Sequence, residues 1–477
     1  MLFNRPALLL VTICLLVCDR SADAQISDPA IVNWFVNTTG ATGSSPNADI
    51  DSVISGILAD VEAVYFTDDT AYIQSSGVPS YSTGPFRNNS YPSDLNATFQ
   101  FPRTPQADTT GNNTEVGLGP QGIFVNGVAI FNFGDGRSFN NQGIWNQDAN
   151  VFEAVGFDDS PGHPASLRNG GVTTPEGRVA GRFHHHQSPT ALRAQLGDDG
   201  ASHSPIIGFA FDGFPIYGPY GYEDPNDPAS AIVRMVSGYA LRDITDRTTL
   251  PDGTVLPASL HGPSLSEIAL GGYAEDYIFN VSNGHLDERN GRLTNTPEYP
   301  NGTYAYFITV DEAGDTAFPH ILGETFYGVP VSQRNVTLPG NAVQFIPPSV
   351  LGDFSNDGVV DVTDIDFYSG LIGVTSSDAA YDERLDFDIN GTIELSDHDF
   401  HVNTYVATSN GATGALLGDM DFDGTVSVLG DAFILIAQLN STGPYSYGLG
   451  DLNADQAVDV LGDAFILIAN LGLDTDP

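Results

Sequence analysis

The chain has 477 residues with 41% apolar content, enough for two or three domains with sizeable cores, which excludes wholesale disorder. Sixteen arginines against sixty acids give a formal charge of −44, a field that repels nucleic acid and anionic lipid and attracts cations. Lysine is absent, which excludes Schiff-base lysines and the phosphate-cradling P-loop, and the sequence has no HExxH, GxSxG or cysteine-nucleophile arrangement.

Residues 1–24 join an arginine, the apolar run ALLLVTICLLV and an Ala22-Asp23-Ala24 ending, the layout of a secretory signal peptide. The expected product is secreted and extracellular. A lipid anchor on Cys18 is the weaker reading, because Val17 stands where such signals carry a small residue. Cys14 and Cys18 both lie in this segment, so the mature protein is expected to lack disulfides and cysteine ligands. Beyond residue 24 no apolar run is long enough to span a membrane.

Residues 25–345 read as a mainly β body with long loops, from short runs such as AVYFTDD, IFVNGVAIFNF, YAYFITV and TFYGVPV set between turn residues. Helical periodicity is confined to 48–64 and 188–196. Five of the ten histidines fall between His163 and Tyr222, beside the Gly/Pro/Tyr-rich segment IIGFAFDGFPIYGPYGY. If 183–186 is extended, His184 and His186 share one face while Phe183 and His185 take the other. Two imidazoles on one face form half of a metal site, which His163 or His203 would complete with Asp212 or Asp158 as oxygen donor. Such a set suits copper, zinc or iron. The alternative is a polar core in which these histidines hydrogen-bond and support the Tyr-rich loop. That loop itself reads as packing, with a sugar- or ligand-binding platform as the alternative. Asp287, Glu288 and Asn290 form either an ion site or a turn. His261, His285 and His320 read as ordinary polar residues, and His398 and His401 as solvent-facing.

The body resembles the YHYH-domain family over most of residues 30–340. The family motif, tyrosine-histidine-tyrosine-histidine, stands here as Phe183-His184-His185-His186. Matching segments are HSPIIGFAFDGFPIYGPYG, GPQGIFVNGVAIFN, NNQGIWNQDANVFE, the GHP around His163, and LDERNGRLTNTPEYPNGTYAYF. The motif's two histidines are kept and its two tyrosines are replaced. The family has no settled activity, so the resemblance implies no reaction.

Residues 338–349 read as a linker, after which composition shifts to twenty-three acids and one arginine from Asp353 onward. A repeat of about 33 residues starts at Asp353, Asp386, Asp419 and Asp451, and VLGDAFILIA recurs at 428–437 and 460–469. Each acidic loop precedes an apolar helix candidate, giving a small all-α calcium-loop module of paired loop-helix repeats, 346–410 and 411–477. EF-hand spacing assigns Ca2+ ligands to Asp353, Ser355, Asp357, Val359, Asp361 and Asp364 in the first loop, and to Asp386, Asp388, Asn390, Thr392, Glu394 and Asp397 in the second. The third offers Asp419, Asp421, Asp423 and Thr425, with its last acid, Asp431, one residue late. The fourth offers Asp451, Asn453 and Asp455, with Asp463 one late and Gln456 at the turn-glycine place. This tail resembles the dockerin repeat, which implies a cohesin-like or other extracellular protein partner for attachment or assembly. The apolar residues Val362, Leu395, Val428-Leu429 and Val460-Leu461 depart from the family's Ser/Thr contacts. Two functions follow: a secreted protein with a histidine metal site and a calcium-binding tail, or a secreted polysaccharide-acting hydrolase delivered by a dockerin. Sixty acids make any pair of carboxylates uninformative as glycosidase machinery.

Overall fold

The computed structural model describes residues 28–345 apart from 112, 167–172 and 175, together with 365, 368, 371–375, 378, 385, 391–401, 435 and 467. The chain divides into two compact units, Met1–Ile346 and Pro347–Pro477. Among the described residues no helix is long and apolar enough to cross a membrane. The signal-peptide segment lies outside them.

Two sheets build the first unit. The smaller has four antiparallel strands in the order β19 (Val343–Phe345), β1 (Val61–Phe66), β2 (Thr70–Ser75) and β4 (Ala97–Pro102). The larger has nine. Its order is β17 (Gly291–Thr294), β18 (Thr303–Phe307), β12 (Pro215–Tyr217), β11 (Ile206–Ala210), β5 (Gly122–Phe124), β6 (Ala129–Ile130), β10 (Val179–His185) and β3 (Ser90–Pro92), with β9 (Gly162–Ser166) also paired to β10. Three two-stranded antiparallel pairs complete the strands: β7 (Gly134–Ser138) with β8 (Asn146–Asp148), β13 (Tyr220–Tyr222) with β14 (Ile232–Arg234), and β15 (Tyr239–Leu241) with β16 (Tyr277–Phe279).

β10 positions the histidines. Ser90–Pro92 and Ala129–Ile130 pair with it in parallel along one edge, and β9 runs antiparallel along the other. Central strands covered on both faces need apolar residues throughout, and all five residues of β11 are buried. Ile123, Phe124, Ile206, Phe209, Ile216, Tyr306 and Phe307 join one apolar core that also takes in Val61, Val64, Ile73, Phe99 and Phe101 from the smaller sheet.

Helices are short: α1 (Pro29–Val32), α2 (Ala48–Ile54), α3 (Ala149–Phe152) and α4 (Thr190–Gln195). Asp28 caps α1 through Ala30 N–H, with proline in its first turn. The helical spacing read over 48–64 holds only as far as Ile54. Gly56 follows the C-cap Ser55, and Val61 belongs to β1, where it pairs with Ser75. TFYGVPV forms no strand, only isolated bridges from Thr325 to Glu115 and from Gly328 to Ala107. Part of the segment read as a linker is instead the edge strand β19, held to β1 by Val64 opposite Phe345.

In the second unit, α5 (Leu395–His401) follows an isolated bridge between Thr375 and Thr392. Tyr368, Leu385 and Ile393 form its described apolar cluster. Leu435 and Leu467, equivalent places in the ten-residue repeat, are both buried. His398 and His401 are also buried, with their rings against Tyr368, and so do not face solvent as their sequence context suggests. The first, third and fourth calcium-loop ligand sets, Asp353 to Asp364, Asp419 to Asp431 and Asp451 to Asp463, lie outside the described residues, as do Asp386, Asp388 and Asn390.

Candidate metal centre

His163 and His184 stand directly opposite each other in the β9–β10 register, so their side chains project from the same face. His186, two residues beyond His184, returns to that face. The result is a buried group, His163, His184 and His186, whose nitrogen donors all lie within 4.8 Å of one another. Phe183 and His185 point the other way, as strand alternation requires. Gly162, opposite His185, leaves room for that second face: a Cβ there would lie 2.5 Å from Phe183 Cζ and 2.6 Å from His185 Cε1.

Hydrogen bonding fixes the rings. His184 Nδ1 lies 3.0 Å from the Arg182 carbonyl, and His186 Nδ1 2.5 Å from the Asn132 carbonyl. A carbonyl only accepts, so both Nδ1 atoms carry the proton and both Nε2 atoms present lone pairs when the rings are neutral. Those two Nε2 atoms are 3.1 Å apart. His163 Nε2 lies 3.3 Å from Glu153 Oε2. Burial drives His163 below the ordinary histidine range and His184 well below it, so neutral rings are the favoured state there. The facing Nε2 lone pairs of His184 and His186 repel one another, and a cation between them removes that repulsion.

Glu153 lies beside two of the three histidines. Its Oε2 sits 3.3 Å from Nε2 of His163 and 3.3 Å from Nε2 of His186. Burial raises its pKa, but the nearby imidazoles of His163 and His186 outweigh that and hold it at about 2, so it is a carboxylate. Glu153 follows α3 and opens the 3-10 turn Ala154–Gly156. Asp135 on β7 is close enough to feel the charge of Glu153 and His186. Phe131 stacks on the His184 ring at 3.9 Å between centroids, and Phe157 meets the His163 ring edge-on at 4.9 Å.

The other candidate ligands lie elsewhere. His203 donates from Nδ1 to its neighbour Ser204's carbonyl at 2.8 Å and packs among Tyr217, Tyr222 and Phe307. Asp212 accepts from Tyr306 Oη at 2.7 Å and from Gly328 N–H at 2.9 Å. Asp158 accepts from the N–H groups of Gly84, Ser160 and Gly162. Asp287 caps its own turn, accepting from Arg289 N–H, Gly291 N–H and Tyr304 Oη, which favours the turn over an ion site. Tyr217, fully buried, donates to Thr296 and Glu298, as a packed loop requires. His320 is buried between Thr316 and Asp148, and His261 donates to the Leu256 carbonyl. Glu153 is the residue that the sequence does not single out. It lies in NNQGIWNQDANVFE, where nothing marks it among sixty acids.

Residues 98–316 match the family described as YHYH protein, a span that takes in the three histidines and Glu153. No curated protein and no solved structure matches the chain.

Proposed function

We propose that the body holds one transition-metal ion on His163, His184 and His186, and that the chain is a secreted metal-binding protein whose acidic tail binds calcium for attachment or assembly. The observation that carries the first part is the convergence of three imidazole donors, two of them with Nδ1 committed to a backbone carbonyl. Carbonyl partners on the far nitrogen are the usual outer support of metal-ligating histidines. Imidazole donors with one carboxylate nearby suit zinc, copper or iron.

What supports the calcium reading is the sequence spacing, together with Gly391 at φ 86° in the place where the loop needs a left-handed turn. Asp397, the last acid of that loop, is buried with a carboxylate oxygen accepting from Glu394 N–H.

The test is elemental analysis of the full chain, purified without added metal and then dialysed against zinc, copper or iron. About one transition-metal equivalent, lost in His184→Ala, is expected under the single-site reading. A wild-type chain no richer in metal than the variant would sink it. Calcium is scored in the same samples, and EDTA is expected to reduce helical circular dichroism if the ion organises the tail.

A further inference from the structure

The three histidines and the neighbouring Glu153 are not held alike. His163 and His186 side chains are 8% and 2% exposed, whereas that of Glu153 is 32% exposed. His184 is buried beneath the Phe131 ring. The imidazoles of His184 and His186 are fixed by carbonyls and flanking rings, while the Glu153 carboxylate has only His163 and His186 as polar partners among the described residues. Its backbone stands at a helix-to-turn junction, between α3 and Ala154–Gly156. The floor is therefore buried and hydrogen-bonded, and the more exposed side carries one long, rotatable acid.

That asymmetry distinguishes two kinds of centre. A structural metal is closed by four protein donors, whereas a catalytic one keeps three and reserves a position for water or substrate. Among the described residues, the Glu153 carboxylate has no polar contact other than His163 and His186 to lose on swinging outward. Withdrawing any of the three histidines would disturb the paired β9–β10 ladder or the Asn132 carbonyl contact.

We infer that Glu153 is a displaceable donor, and that the centre takes a small oxygen- or nitrogen-donor ligand from solvent in its place. This rests on the reading of the three histidines as metal ligands. The site is then an exchange centre of the kind that performs chemistry, with Glu153 beside the incoming ligand.

Cobalt(II) and azide test this on the full chain. Cobalt is loaded into wild type, Glu153→Gln and His184→Ala, and bound cobalt is counted, with the histidine variant as blank for cobalt on the acidic tail. Azide is then titrated against the visible absorption of each. The expected result is one cobalt above the blank in wild type and a saturable spectral change with azide. Glu153→Gln should keep its cobalt and bind azide roughly tenfold more tightly, as the neutral amide competes poorly for the position. Wild-type and Glu153→Gln spectra that ignore azide would overturn the inference by showing a closed centre. Equal azide affinity in the two would overturn it by showing that Glu153 does not guard the position. Wild type retaining no cobalt above the blank would instead remove the metal reading, and this inference with it.

Discussion

Strand β10 and the residue that follows it present histidine to two surroundings. On one face His185 has both ring nitrogens satisfied: Nδ1 donates to the Pro161 carbonyl at 3.0 Å and Nε2 accepts from Tyr81 Oη at 2.8 Å. Burial holds it at about pKa 3, a neutral ring in an aromatic core of Phe124 and Phe183. On the other face His184 and His186 each satisfy Nδ1 and then turn Nε2 toward another acceptor. The residue type is identical and the burial is equal. What separates a structural histidine from a candidate ligand is whether the second nitrogen meets a donor.

Removing one histidine from each face separates their roles. His186→Ala is expected to weaken transition-metal retention at least about a hundredfold, because the loss of a ligand exceeds the effect usual for its outer partners. His185→Ala is expected to leave metal stoichiometry unchanged while the protein is folded. Equilibrium dialysis with elemental analysis reads both. A folded His185→Ala chain without metal would mean that the two faces do not have separate roles.

Stability should show the reverse order. His185→Ala leaves a cavity and strands the Tyr81 hydroxyl and the Pro161 carbonyl, a loss of about 2–4 kcal/mol in denaturant titration. Gly162→Ala forces a methyl group against Phe183 and His185 and should cost about 1–3 kcal/mol on the same scale. His184→Ala measured without metal should cost less than His185→Ala, since it also relieves facing lone pairs.

Part of this arrangement is legible in the amino-acid order alone. A period of two separates His184 and His186 from Phe183 and His185, and the buried run IIGFAF reads directly as a strand. The partner strand is another matter. His163 faces His184 only because β9 returns antiparallel in one register, and twenty intervening residues carry no local mark of that pairing. His203 and Asp212 draw attention by lying beside the Tyr-rich segment, yet they flank strand β11, which carries them to other neighbours. Glu153 has no distinguishing signal at all, because an acid becomes informative only when its surroundings are scarce in acids. Val343–Phe345 hides among prolines, since an edge strand of three residues has too little pattern to stand out.

Asp212 extends the comparison from histidines to acids. Where Glu153 is held ionised by imidazoles, Asp212 is fully buried and its carboxyl is pushed up to about 6, chiefly by desolvation. Below about pH 4 it is protonated in both folded and unfolded chains. Between about 4 and 6 the unfolded chain releases the proton while the folded chain keeps it, so stability falls as pH rises and levels off above about 6. The shift corresponds to about 3 kcal/mol at most. Asp212→Asn should flatten that part of the stability profile, read by denaturant titration at each pH, without altering metal content. A change in metal content would place Asp212 in the centre after all.

The smallest expected effect belongs to Asp135, half-buried on β7. Its carboxyl is raised first by burial and then by the charge of Glu153, and it also feels His186, so it faces the same acid and imidazole that face the proposed ion. Its Oδ1 accepts from Arg137 N–H at 2.6 Å, which holds it in the strand turn rather than among the donors. An acid in that position acts through its field. Asp135→Asn should therefore weaken metal affinity only about two- to fivefold in dilute buffer, the scale of a partly screened charge pair. The difference should vanish near about 1 M salt, where screening shortens to roughly 3 Å. A direct ligand behaves otherwise, with a loss of a hundredfold or so that salt does not erase. The size of the loss and its salt dependence together decide whether the solvent side of the centre has one coordinating acid, Glu153, or two.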